Sequence, residues 1–168
     1  MTRVAKILAK GAEAVAVAML AAMFLAFLIQ IVFRYALNFP VGWTHELSIV
    51  LWIWLVLWAA AFVLREDEEI RFDLLYGAVG DGTRRVMCLV TAAGLVGLYL
   101  VSLPAIADYV AFMRVQRTAY MKIRFDWLYL IYVIFAVAAI VRYLWLGFRA
   151  LKGGAPDAFD PTKANSGV

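Results

Sequence analysis

Few side chains in this sequence are equipped for chemistry, and their number already excludes much. His45 and Cys88 are the single histidine and the single cysteine of 168 residues. A b-type haem held between helices takes two histidine ligands, so His45 alone cannot hold one, and its place at a helix start suits a surface or interface residue. One cysteine excludes a disulfide, a CxxC redox pair and a cysteine zinc site. Cys88 falls within an apolar run and reads as a small buried residue. Inside the apolar runs the polar side chains are essentially Gln30, Ser48, Thr91 and Ser102, with Glu13 at the entrance of the first and Arg142 within snorkelling reach of the inner surface in the last. A proton relay or a carrier of charged solutes needs ionisable groups or broken helices near the membrane midplane, and these runs supply neither. There is no Ser/His/Asp set, no phosphate-cradling glycine loop and no cluster of metal ligands. The expectation is therefore a non-enzyme without catalytic residues, metal or cofactor.

The charges that remain lie at the ends of apolar runs. Arg34 closes the first run and Glu46 opens the second, across a short turn containing Asn38, Pro40 and Gly42. The two lie at one membrane edge, where they can pair. Arg34 can equally snorkel to headgroups, and Glu46 can answer the positive end of its own helix. Thr44 is expected to cap that helix. Arg114, Arg117, Lys122 and Arg124 share one loop and one sign, which fits either an acidic protein face or lipid headgroups.

These side chains need membrane-spanning helices to position them. The chain is 66% hydrophobic and 17% charged, whereas soluble domains are about half apolar. Leu47 to Leu64 carries no charge and no polar stripe at helical period, so it reads as a span and not as an amphipathic surface helix. Three further runs, 14–33, 86–107 and 127–148, complete an expected all-α bundle of four transmembrane helices. The first run is longer than the apolar region of a secretory signal and is expected to remain as a helix. Ala14, Ala18, Ala22 and Ala26 form one candidate packing row and Ala93 with Gly97 another. Pro104 predicts a kink. Trp52, Trp54 and Trp58 lie within the second span and suit lipid or a protein partner.

Between the second and third spans, Phe72, Leu75, Tyr76 and Val79 share a helical face, which predicts a short interfacial helix after the charged run Arg65 to Glu69. Residues 1–152 read as one membrane domain, and 153–168 as a disordered tail rich in turn formers. Arg3, Lys6, Lys10, Arg65, Arg71, Arg84, Arg85, Arg142, Arg149, Lys152 and Lys163 fall on the side of the termini. They outnumber Arg34, Arg114, Arg117, Lys122 and Arg124 opposite, so the positive-inside bias places both termini in the cytoplasm. The net charge of +4 reports topology, since the cations flank apolar runs and form no nucleic-acid surface.

Arg34-Tyr35, Asn38, Trp43, Glu46-Leu47, the span ending at Arg65 and then Ile70-x-x-Asp73-Leu74-Leu75 resemble the small, DctQ-like membrane subunit of tripartite ATP-independent periplasmic (TRAP) transporters. His45 and Glu69 depart from that family's pattern, which often has an acidic residue and a histidine there. The resemblance implies a bacterial inner-membrane subunit beside a large membrane subunit that carries the substrate and sodium sites. It implies also a periplasmic binding protein that delivers the substrate, typically an organic acid. Arg34, Tyr35, Trp43, Glu46, Trp54, Trp58 and Asp73 are then expected at subunit interfaces or in structural roles, and Arg114, Arg117, Lys122 and Arg124 are candidates for periplasmic docking. Two other readings stay open: an autonomous four-helix exporter acting as a dimer about Glu13, and a membrane anchor of another complex.

Overall fold

The computed structural model describes residues 3–39, 41–64 and 80–152. Among them are four long helices: α1 (Arg3–Ile31), α2 (Trp43–Trp58), α3 (Asp81–Phe112) and α4 (Phe125–Leu151). Including their end turns, all four are long and apolar enough to cross a membrane. Only helices or closed barrels satisfy every backbone group in hydrocarbon, and this composition selects the first.

The helix ends explain the connections. α1 widens into a π-turn, Val32–Ala36, in which the Leu37 N–H donates to the Val32 carbonyl at 3.2 Å. Asn38 then takes the left-handed conformation (φ 49°), which asparagine tolerates, and the Phe39 N–H closes on Phe33 O at 2.9 Å. α2 likewise ends in a π-turn, Ala59–Val63, and stops where Leu64 becomes extended. Pro104 lies within α3, which continues to Phe112 and a 3₁₀ turn, Met113–Val115. The helix thus continues beyond the apolar run that ends at Ala107, through Tyr109 and Phe112. The expected interfacial helix after Arg65 and the C-terminal tail lie outside the described residues.

The described residues fall into two compact units, one within Met1–Leu64 and Ser102–Ala138, the other within Arg65–Val101 and Ala139–Val168. In the first, α1 packs along α2. The positions of α1 and its end turn that are at least half covered include Ala12, Ala16, Met19, Met23, Ala26, Gln30 and Phe33, spaced alternately four and three residues apart. That spacing is the seam of helices interdigitating at a shallow angle. The expected row of alanines is therefore corrected: Ala26 is buried and Ala22 partly so, but Ala14 and Ala18 are exposed. Steps of four overshoot a 3.6-residue turn by about 40° each, which carries the row off the seam.

In the second unit Cys88 and Ala92 of α3 and Ala139, Ile140 and Ala150 of α4 are buried. A side chain at Gly147 would stand 3.5 Å from Ala92 Cβ, so the two helices approach closely there. Ala93 and Gly97 are exposed, and the small-residue contact uses the neighbouring row instead. Among the described residues the buried ones are mostly small, while large apolar side chains such as Phe24, Trp52 and Val101 are exposed. An apolar exterior around small interior contacts is what a bilayer solvent selects.

Candidate functional site

The densest set of polar contacts in the first unit joins the start of α2 to the loop between α3 and α4. α2 begins after Gly42 without a side-chain cap. Thr44 is not the expected cap: it lies inside the first turn, fully buried, and its hydroxyl donates to Val41 O at 3.0 Å. The Ser48 hydroxyl donates in turn to Thr44 O at 2.9 Å. Both hydroxyls are thereby satisfied by local backbone carbonyls, Thr44 by the turn before the helix and Ser48 by the helix itself.

Opposite this turn, residues 116–125 form a tight hairpin. The Phe125 N–H donates to Gln116 O at 3.1 Å, Thr118 N–H to Ile123 O at 2.9 Å, and Ile123 N–H to Thr118 Oγ1 at 3.1 Å. Lys122 adopts a left-handed conformation (φ 56°) that reverses the tip. The reversal turns two consecutive amides toward α2. Glu46 Oε1 accepts from the Tyr120 N–H at 2.8 Å and Oε2 from the Met121 N–H at 2.9 Å. The Tyr120 ring lies on Gly42 so closely that a Cβ there would stand 2.3 Å from ring carbons. Carboxylate and ring together form a latch that holds the hairpin on the helix start.

The latch replaces the expected Arg34–Glu46 pair. Both oxygens of Glu46 are occupied by the hairpin, and Arg34 is exposed, its guanidinium 5.8 Å from the Tyr35 ring centroid. Backbone amides fixed in a turn need no further ordering, whereas an arginine must surrender rotamer freedom to pair. Tyr35, Trp43 and His45 are also exposed; Asp73 lies outside the described residues.

Of the candidate docking cations, Arg124 is already committed. Its guanidinium pairs with Asp126, with Nε donating to Oδ1 at 3.1 Å, and the Trp127 N–H donates to the same oxygen at 2.9 Å. Arg114, Arg117 and Lys122 are exposed on the same loop.

Two of the three tryptophans of α2 tie helices together. Trp54 Nε1–H donates to Leu128 O in α4 and Trp58 Nε1–H to Ala12 O in α1, each at 3.1 Å. Trp58 also meets Phe62 with ring centroids 4.6 Å apart. Trp54 and Trp58 stand one helical turn apart, so one face of α2 reaches both neighbours. Trp52, off that face, is 58% exposed.

Sequence reasoning placed Gly42 in the turn but not its contact with Tyr120, and it missed Thr118, Tyr120 and Met121. The hairpin has no glycine or proline to announce its turn, and the partners of Glu46 are amides that any residue but proline would supply. Chemically the arrangement fastens: the Thr44, Ser48 and Thr118 hydroxyls and the Glu46 carboxylate are engaged with backbone groups, and among the described residues no three His, Cys, Asp or Glu side chains gather to hold a metal.

Comparison with curated proteins finds no match. Residues 23–153 match the family model described as "Tripartite ATP-independent periplasmic transporters, DctQ component", over well more than half of the chain.

Proposed function

Since the chain belongs to the DctQ family, the small membrane component of tripartite ATP-independent periplasmic transporters, we propose that it serves as the static scaffold of such a transporter. On this reading a large membrane subunit carries the substrate and sodium sites and moves, while this chain widens the fixed platform beside it. A periplasmic binding protein delivers the substrate, of organic-acid class. The chain lies in the bacterial inner membrane as a multi-pass protein with both termini cytoplasmic.

The observation that carries the reading is the use made of polar groups in the first unit. Glu46, Trp54 and Trp58 are spent on fastening the chain to itself, and the spans leave large apolar side chains outward, among them Phe24, Phe27 and Leu28 of α1. Such a body offers packing surface, and its described spans are lined mainly by apolar side chains that give an ion or polar solute little to hold. Docking of the binding protein at Arg117 and Lys122, the cations of the hairpin, agrees with their exposure and common sign.

Co-expression tests the reading: a tagged chain should co-purify stoichiometrically with the large subunit, and failure to assemble would remove the scaffold role. Orientation is tested separately with a C-terminal reporter active only in the periplasm, which should stay silent.

A further inference from the structure

α3 and α4 leave a groove between them within the first unit, of about 430 Å³, lined by Ser102, Ala105, Ile106, Tyr109, Val110, Tyr129 and Tyr132. Its position along the helices is informative. The apolar run of α3 ends at Ala107, with Asp108 next, so Tyr109 stands at headgroup level and Ser102 roughly 10 Å deeper at 1.5 Å per residue. Asp126 and Trp127 mark the same level on α4. The groove is therefore wet at its mouth and apolar below, with tyrosines from both helices at the transition; Tyr129 meets Tyr109 at 5.9 Å and Tyr132 at 6.0 Å between centroids.

Charge at the mouth selects among occupants. Arg114 follows Val110 by four residues on the continuing helical turn, which places it about 6 Å further out on the same face. Arg117 and Lys122 follow on the hairpin, and all three cations are exposed. Between 108 and 126 the acidic residues are Asp108 and Asp126, and Asp126 is taken up by Arg124. Three cations thus face two carboxylates, Asp108 and the Glu46 held by the hairpin amides, and the balance stays positive at the level where lipid phosphates lie. We propose that this groove is a binding site for an anionic phospholipid, its upper acyl chain between α3 and α4 and its headgroup at Arg114, the cation on the turn that continues α3. A transmembrane segment of a partner would fill the apolar part but would leave the cations unmatched.

The test uses the full-length chain in detergent, stripped of lipid and then offered equal phosphatidylglycerol and phosphatidylcholine of identical chains, with bound lipid read by native mass spectrometry. Preferential retention of phosphatidylglycerol is expected. Arg114→Gln, an exposed change that leaves the fold alone, should lower that retention roughly fivefold, the factor for one cation at an anionic surface, and leave phosphatidylcholine unchanged. Ala105→Phe should reduce both lipids. Equal retention of the two lipids by the unmodified chain, or no response to Arg114→Gln, overturns the proposal. So does quantitative cross-linking of Ala105→Cys to a protein helix in the assembled complex.

Discussion

Gly42→Ala is the sharpest perturbation of the latch, because its backbone cost is small and its steric cost is local. Gly42 has φ −82°, a conformation open to alanine, so any effect comes from the added methyl group. That group would stand 2.3 Å from the Tyr120 ring, against an ordinary contact of 3.4 Å or more, and the ring must retreat by about 1 Å. Tyr120 is 66% exposed and what clashes is the far end of its side chain, so the ring can swing toward solvent. The cost should fall at the low end of the 1–3 kcal/mol typical of overpacking, about 1 kcal/mol. For a chain of this size that is a fall of roughly 2–4 °C in thermal midpoint, readable from tryptophan fluorescence in detergent. The decisive comparison is Gly42→Ala in a Tyr120→Ala background: with no ring to displace, the substitution should cost almost nothing, so the coupling energy approaches the whole single-mutant effect. Strict additivity would show that ring and glycine do not meet. Glu46→Gln probes the other half of the latch, since its amide turns a donor toward one of the two N–H groups. Maleimide labelling of Met121→Cys should then quicken severalfold; an unchanged rate would mean that Glu46 does not hold the hairpin.

The helix ties and seam make further predictions. Trp54→Phe and Trp58→Phe should each lose about 1 kcal/mol, one net hydrogen bond, and because Leu128 and Ala12 are separate partners the losses should add, while Trp52→Phe should leave the melting curve unmoved. Ala26→Leu should cost about 1–3 kcal/mol in thermal stability by overfilling the α1–α2 seam, and Ala18→Leu almost nothing; equal effects would refute the seam. Charge reversal at Arg117 should slow binding-protein association at low salt more than reversal at Arg124, whose charge is already met by Asp126, and the difference should vanish at high salt. If uptake and association respond to neither, the loop is not a docking surface.

The four helices were legible because lipid imposes one long apolar run per span, and no soluble fold shares that constraint. Register was less legible. The row from Ala14 to Ala26 and the pair Ala93–Gly97 were read on fixed four-residue spacing, whereas the contacts follow an alternation of four and three in α1 and the Cys88–Ala92 row in α3. Composition marks small residues as candidates for close approach but does not say which row meets a neighbour. Glu46 stood out as a carboxylate at a membrane edge. Arg34 was the natural partner only because side chains can be read and backbone amides cannot; the true partners lie more than seventy residues away in a turn without turn residues. The tryptophans show the same limit: an indole inside a span announces a need for an acceptor, and only the fold shows that Leu128 and Ala12 supply it.

Transport by separated and combined components tests the scaffold account most directly. Proteoliposomes holding this chain alone, the large subunit alone, or both would be given the binding protein loaded with labelled organic acid under an inward sodium gradient. Accumulation only where both chains are present is the predicted result. Sustained sodium-driven accumulation by this chain alone would contradict it.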